Sequence, residues 1–549
     1  MFTFYQVLVN GPDHWEIQFL HNDEETLIKN DKGAIKRLLS KINFLVGFNN
    51  YNYCDKLIAS ILKDIDPAKT LENIKSNKRV SFMLQNPITL DLKQELRNLD
   101  LEEIKYNLGS QDESDVYVMQ QIFKEREDYF TSKFEVVKEF KLRPASLTKT
   151  RVGLASDVLK TRKATDKERL NISYDERLQI KELPKPILNF YENIQDQFKK
   201  GRDFKELEKE KFTFKLAELD HLYGFGGLHA AKANYVSEGD FMQIDVKSYY
   251  PTLILNNSFL GSQALDDYKR IYTTRKQLQA SDDKKEEAYK LITNIVYGGL
   301  KAKWNNLYNP QMSNNVVVNG QLILTHLILL LENFCELIQT NTDGIIIKYE
   351  PEMKEPILKI VKLFEQHYSL EFDVDYINKI AQRDVNNYVV RYDNGELNAR
   401  GIFANYNGGN FERNSLAIIS KALVEYYMNG IKPNRTVINE WKANRLELFQ
   451  NVVKAGKYDG MAHEMKEDTL FKGTYSSRFR DLPKINRVFA TNDKYLGAIY
   501  KTRHNAETKY TKVPYTSENS MVWNDDLSKL NRRKISLNWY IKEIEKWIF

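Results

Sequence analysis

The sequence predicts a multi-domain α/β protein, and three observations carry that prediction. Short apolar runs, Phe2–Val9, Trp15–Phe19 and Asn43–Phe48, alternate with helical stretches through residues 1–145. The same alternation returns from Phe225 to about Tyr376. Between them lies a polar, basic stretch, 146–215, with Pro184 and Pro186 inside it and Pro144 just before it; such a stretch reads as a connector. A chain of 549 residues has room for about two to four domains with sizeable cores.

Taken in order, residues 1–145 end in a long amphipathic helix expected near Val116–Lys141. After Asp384 the pattern becomes mixed, with short strands and a helix expected near Ser415–Met428, so 385–549 is treated as one further region. The most apolar stretch, Leu322–Leu331, is interrupted by Thr325 and His326 and reads as a buried helix, not a membrane span. The start, MFTFYQVLVN, lacks the basic opening and small-residue cleavage site of a secretory signal. Two cysteines, Cys54 and Cys335, supply neither a disulfide framework nor a zinc site. The expectation is a cytoplasmic protein with no membrane partner.

Charge is uneven along the chain. The whole chain carries +6, whereas Ile431–Phe549 holds 23 Lys/Arg against 14 Asp/Glu, a balance of +9. A basic C-terminal part beside a nearly neutral body suits a segment that grips phosphates; a solvated surface is the plainer reading of the same numbers.

Three short elements carry the chemistry. In Phe241-Met-Gln-Ile-Asp245-Val-Lys-Ser-Tyr-Tyr250-Pro251 an apolar strand delivers one carboxylate at its end. In Gln339-Thr-Asn341-Thr-Asp343-Gly344-Ile-Ile-Ile-Lys348 two strands flank a tight turn, a hairpin with Asp343 at its tip. In Lys290-Leu-Ile-Thr-Asn294-Ile-Val-Tyr297-Gly298 the Lys, Asn and Tyr fall on one helical face. Tyr297-Gly298 offers a flat ring beside a residue with no side chain, a surface for a base pair. Each element alone is an ordinary turn or solvent face. Together they suggest phosphoryl transfer: two carboxylates on adjacent strands suit a pair of Mg²⁺ ions about 4 Å apart. A lysine on a neighbouring helix would then neutralise triphosphate charge.

The order Asp-x-x-Ser-Tyr-Tyr-Pro, Lys-x₃-Asn-x₂-Tyr-Gly, Thr-Asp-Gly resembles motifs A, B and C of family B DNA polymerases, closest to the compact phage and mobile-element members. Upstream, Tyr223-Gly-Phe-Gly226-Gly227-Leu-His229 is similar to the family's Gly-rich template-contacting segment. The resemblance implies a right-hand polymerase of palm, fingers and thumb, preceded by an RNase H-like exonuclease-type domain. On this reading 1–145 is the exonuclease-like domain, 146–215 the connector, 216–263 and 306–384 the palm, 264–305 the fingers, and 385–549 the thumb and C-terminal DNA-binding region. It implies Asp245 and Asp343 as catalytic metal ligands, assisted by the Val246 carbonyl, with two Mg²⁺ ions that Mn²⁺ could replace. Lys290, and Arg275 on the other finger helix, would face the incoming triphosphate. Tyr250 would exclude a 2′-hydroxyl, and Asn294 and Tyr297 would contact the nascent pair. Tyr223, Gly226, Gly227, Gly298, Arg400 and Gly401 would contact DNA, the last two within Asn398-Ala-Arg400-Gly401-Ile-Phe403, a segment similar to the primer grip with Phe403 for the usual Tyr.

The departures are informative. Motif C carries Asn341 where the family has a first Asp. In the N-terminal region Cys54 stands where the second exonuclease motif has its acid, no acid occurs within Thr3–Asn10, and Asp115 alone is kept of the third. A two-metal nuclease needs about four clustered carboxylates, so proofreading is expected to be absent unless Asp55, Asp13 or Glu16 substitutes.

The expected partners are primer-template DNA and dNTPs, with a helicase or single-strand-binding protein as accessories, for a chain that acts as a monomer. Protein-primed relatives carry long insertions between motifs A and B and between B and C. Here those gaps are 45 and 53 residues, too short for an extra subdomain, so no terminal protein is expected. Two other readings stay open: a catalytically weakened replisome scaffold of the same fold, and a polymerase specialised for lesion bypass or primer synthesis.

Overall fold

A computed structural model describes the chain except for residues 1, 97, 112, 162–169, 470–474 and 505–508, and the side chains of 262 and 263. It is a mixed α/β, multi-domain structure. The chain divides into two compact units, Met1–Glu127 with Ile402–Ile548, and Asp128–Gly401 with Phe549. The C-terminal region therefore shares a body with the N-terminal one, which a linear segmentation does not express. Within that body Asn107 donates to the Phe411 carbonyl at 2.9 Å and Gln450 to that of Tyr106 at 3.1 Å.

The first unit opens with strands β1 (Phe2–Gly11), β2 (His14–His21), β3 (Glu24–Lys29), β4 (Phe44–Gly47) and β5 (Ile88–Asp91). They lie in the order β3-β2-β1-β4-β5, with β1 antiparallel to β2 and parallel to β4. Tyr5, Ile17, Phe19 and Leu45 from these strands meet Leu57 and Ile58 of the helix Cys54–Leu62 in one core. The single helix expected over 116–141 is two, Asp115–Glu125 and Glu127–Glu139, separated at Arg126. Arg126 leaves helical geometry (φ −110°) and its guanidinium donates to the carbonyls of Leu92 and Gln94. A specific tertiary partner thus overrides a continuous apolar period.

The second unit is built on strands β6 (Phe212–Leu216), β7 (Leu219–Tyr223), β8 (His229–Ala231), β9 (Tyr235–Val246), β10 (Glu336–Asn341), β11 (Gly344–Lys348), β12 (Phe372–Asp384), β13 (Asn387–Tyr392) and β14 (Leu397–Arg400). They form one antiparallel sheet in the order β14-β13-β12-β9-β11-β10-β8-β7-β6, which puts β9 between β12 and β11 at its centre. Four helices matter for the site: α1 (Tyr249–Asn256), α2 (Ser262–Ala280), α3 (Glu286–Lys301) and α4 (Pro310–Leu331). The connector region contains helices of its own, Arg151–Val158 and Lys185–Lys199.

Helix α4 begins well before the apolar stretch that announced it. Asn309 caps it, accepting from the Met312 amide, and Pro310 fills the first turn. At 22 residues it is long and apolar enough to cross a membrane, but 89% of that window is buried inside the protein, as befits a core helix. Two of its inward polar side chains are partnered: Asn319 takes the Asp175 amide at 2.6 Å, and Gln321 donates to the carbonyls of Gly224 and Gly226.

The remaining first-unit strands form two small sheets. β15 (Asn451–Lys454), β18 (Ile485–Ala490) and β21 (Ser520–Val522) lie in the order β15-β18-β21. β16 (Gly460–Asp468), β17 (Tyr475–Leu482), β19 (Leu496–Thr502) and β20 (Tyr510–Lys512) lie in the order β17-β16-β19-β20. The expected helix near 415–428 is Ala417–Asn429.

Candidate active site

The hairpin reads as its sequence asked. Asn341 pairs with Gly344, leaving Thr342 and Asp343 as a two-residue turn, with Thr342 at φ +59°. Three contacts fix the tip. The Thr342 amide donates to the Leu228 carbonyl at 2.9 Å, the Val246 amide to the Asp343 carbonyl at 2.9 Å, and the Thr342 hydroxyl meets His229 Nε2 at 2.9 Å. The tip is thereby tied to the end of β9, where Asp245 stands opposite Gly344 on one side and Asp373 on the other.

Gly344 is required by this arrangement. A Cβ there would lie 1.7 Å from Asp245 Oδ1 and 2.7 Å from the Ile244 carbonyl. Gly227 is likewise required, since a Cβ would meet Thr342 Oγ1 at 2.3 Å. Its place is against the hairpin tip.

Burial raises the carboxyl of Asp245 to about 6; the neighbouring carboxylates of Asp343, Asp375 and Asp373 push the same way, against a hydrogen bond from the Gln243 amide. Burial also raises Asp343, opposed by its own backbone N–H. Two desolvated carboxylates, with Asp343 raising Asp245, leave a deficit of positive charge, the condition that favours a bound divalent cation. Both line an open cleft of about 240 Å³, together with Gln243, Asn341, Asn398 and Arg400. A polar row crosses the sheet towards β14: Tyr392 Oη donates to Gln243 at 3.2 Å and receives from Asn398 Nδ2 at 3.2 Å. Among the described residues, no three side chains of metal-binding type cluster, so the protein offers two carboxylates here and no closed cage.

Beyond Asp245, Ser248 takes a left-handed conformation (φ +50°) and α1 begins. This turn places Tyr250 flat against Tyr297 of α3, with ring centroids 3.8 Å apart and planes within 12°. Burial raises the Tyr297 hydroxyl to about 12 and pushes that of Tyr250 up as well. Asn294 and Gly298 lie exposed on the same helix, and nothing stands within 4 Å of a Cβ added at Gly298. Lys290 is partly exposed and pairs with Glu287 at 3.2 Å. Arg275 is held in place: its Nε meets Glu286 at 2.7 Å, and Nη1 reaches Thr293 Oγ1 at 3.2 Å, with Asn294 and Ser248 at 3.4 Å. Neither cation lines the cleft of Asp245 and Asp343.

One expected DNA contact finds another role. Tyr223 is fully buried with its hydroxyl on Thr325 at 2.9 Å, so it has no surface for a template. Gly401 has φ +61° and a Cβ there would strike the Asn386 carbonyl at 2.3 Å, a backbone requirement. Gly226 is open, and its carbonyl accepts from Gln321 at 2.6 Å. Sequence reading missed Asp373, Asp375, Gln243 and Glu286. The Asp-x-Asp alternation on a strand after the hairpin could have flagged the first two; Asp373 is paired with Lys247 at 2.8 Å.

Among the described residues, the acids of the N-terminal sheet form no metal-binding cluster. Asp55 is fully buried and accepts from Tyr5, Asn50 and Thr89. Asp91 accepts the amides of Asn49 and Lys93 at 2.7 and 2.9 Å. Asp115 is occupied by the Lys105 ammonium and the Gln6 amide. Burial lifts the Cys54 thiol to about 12. Glu16 pairs with Lys29 across β2 and β3 at 3.0 Å, and Asp13 sits exposed in the β1–β2 turn.

No protein-family model matches this chain, and no curated protein does. Among solved structures, it is similar to the family B DNA polymerase from the hyperthermophilic archaeon Pyrobaculum calidifontis, over 99% of this chain and 77% of that one, with 11% identity and a TM-score of 0.47. So distant a similarity carries none of the reading that follows.

Proposed function

We propose that this chain is a DNA-directed DNA polymerase that extends a nucleic-acid primer by two-metal nucleotidyl transfer. One observation carries the reading: the fold joins the end of β9 to the β10–β11 tip, so two desolvated carboxylates share a cleft with Asn341 and Arg400. Asp245 and Asp343 would hold Mg²⁺, with the Val246 carbonyl beside them. When bound, the ions supply an activated 3′-oxygen and charge neutralisation on the triphosphate.

The chain's own residues do the rest. The central sheet is the palm and the α2–α3 pair the fingers. Gly344 leaves the room that Asp245 needs. The Tyr250–Tyr297 stack would form a flat floor for a sugar and base pair, with the Tyr250 ring set to exclude a 2′-hydroxyl. Arg275, clamped by Glu286, ties the fingers to Ser248 at the end of the metal-binding strand. Lys290 remains the triphosphate cation, reaching it by leaving Glu287, a surface pair that costs little to open. Arg400 and Asn398 lie where a primer strand would approach the cleft.

Two subsidiary points belong to this proposal. Proofreading is absent, supported by the Lys105 ammonium on Asp115, where a nuclease would need a cation-binding cluster. Priming by a terminal protein is absent too, supported by the turn Ser281–Lys285 being all that lies between α2 and α3. The compact phage or mobile-element setting rests on the motif resemblance alone. Primer extension with dNTPs in Mg²⁺ and then Mn²⁺ tests the whole, with Asp343→Ala as control. No extension in either metal would remove the proposal.

A further inference from the structure

The C-terminal sheet β17-β16-β19-β20 presents two unlike faces. Met461 and Ile499 of one face pack with Val488 and Val513 in a small core, against which Leu482 also packs. The other face is aromatic and open. Phe479 and Tyr510 come from the two edge strands, yet their rings stack face to face at 4.0 Å and 14°, so the sheet coils across its width. Tyr500 meets both edge-on, at 5.5 and 6.1 Å.

Exposure is concentrated here. Among the described residues five aromatic side chains are strongly exposed, and four of them, Tyr475, Phe479, Tyr495 and Tyr515, lie in this stretch of chain. No Leu, Ile, Val or Met side chain between 459 and 522 is comparably exposed among the described residues. Exposed rings of this kind offer planar faces on which unpaired bases can stack. Cations stand with the rings: Lys494 Nζ lies 4.8 Å from the Tyr495 ring and 5.7 Å from that of Tyr475, and Lys509 lies 5.6 Å from Tyr510. The surrounding segment is also the basic part of the chain, +9 over Ile431–Phe549.

We propose that this face is a binding site for single-stranded nucleic acid, separate from the carboxylate cleft. Unpaired bases would stack on Phe479, Tyr475 and Tyr495, and phosphates would meet Lys494 and Lys509. Duplex is excluded as the ligand because its base faces are already stacked on one another. Sequence tolerance follows, since every base has a π-face, and affinity falls steeply with salt because phosphate contacts release counterions. The site is independent of whether the cleft is catalytic.

The test uses the full chain and a fluorescent oligothymidylate of about 12 nucleotides, within the site size of one such sheet. Binding is read by anisotropy with unlabelled primer-template present to occupy the cleft. Photocross-linking of a 5-iodouracil version then locates the contact. The double variant Tyr475→Ala, Phe479→Ala is expected to weaken the oligonucleotide by roughly 100-fold, two stacking partners at about tenfold each, while primer extension stays unchanged. Tyr475→Ala alone removes only an exposed ring, so it keeps the test valid if Phe479→Ala disturbs the sheet; about tenfold is expected. Phe479→Trp should retain binding. Cross-links to peptides carrying Phe479 or Tyr475 support the site. Affinities within threefold of wild type, or cross-links confined to the cleft, would each overturn it.

Discussion

Replacing Gly344 by Ala isolates the geometry of the carboxylate pair, because the added methyl touches nothing but its immediate neighbours. The new Cβ would start 1.7 Å from Asp245 Oδ1, where real contacts stop near 3.0 Å, so the carboxylate has to retreat by about 1.3 Å. The Ile244 carbonyl, at 2.7 Å, must move as well, and it belongs to the same central strand. Overpacking of this kind costs about 1–3 kcal/mol of stability, a melting-temperature loss on the order of 5 °C. The effect on rate should be far larger. Displacing a reacting group by about 1 Å costs on the order of 100-fold, and here the displaced group is a proposed metal ligand. Single-nucleotide extension under saturating DNA and dNTP reads the rate, and a mobility shift reads DNA affinity. A loss of about 100-fold or more in extension is expected, with affinity within a few-fold of wild type. Extension by Gly344→Ala within threefold of wild type would refute the claim that Asp245, held against Gly344, carries the chemistry.

Asp245→Ala and Asp343→Ala should each abolish extension and leave DNA binding largely intact, whereas Asn341→Asp, adding a carboxylate to the same cleft, should keep or raise the rate; near-normal extension by Asp343→Ala would show the metal assignment is wrong. Tyr250→Val should lower the dNTP-to-rNTP efficiency ratio by an order of magnitude or more, and Tyr297→Ala should follow in the same direction because it removes the ring that Tyr250 lies against; an unchanged ratio for both places the sugar gate elsewhere. Glu286→Ala leaves the buried Arg275 guanidinium without its counter-charge, the two side chains being only 14% and 10% exposed, and should cost about 3 kcal/mol in denaturant unfolding, with Glu286→Gln milder; no change would mean the pair is solvated in solution. With dNTPs withheld, a 3′-mismatched primer should stay full length in Mg²⁺, and Lys105→Ala should not restore shortening because only Asp115 is uncovered; degradation that survives Asp115→Ala would point to a nuclease site elsewhere.

The sequence by itself determined the local features. Strand-then-carboxylate at Asp245, the Asn-Thr-Asp-Gly turn that sets Asp343 at a hairpin tip, and the i, i+4, i+7 face of Lys290, Asn294 and Tyr297 all depend on backbone period and turn chemistry, which neighbouring residues dictate. Helix α4 begins at Asn309-Pro310, whereas its apolarity alone pointed only to its second half. What the tertiary structure decided was which of these features meet and which roles are already taken. Strand order put Asp373 and Asp375 beside Asp245, a consequence of β12 pairing with β9 across more than a hundred residues of chain. Packing moved Tyr223 into the core, and it made Gly227 and Gly401 points of close backbone approach. Arg275 looked like a free cation on a helix until the facing helix supplied Glu286. Arg126 broke a helix that its own segment would have continued, because the carbonyls it reaches lie on a distant loop. Residue types and spacing fix what a short segment prefers; burial, register and the partner that arrives from elsewhere in the chain fix what each side chain has left to offer.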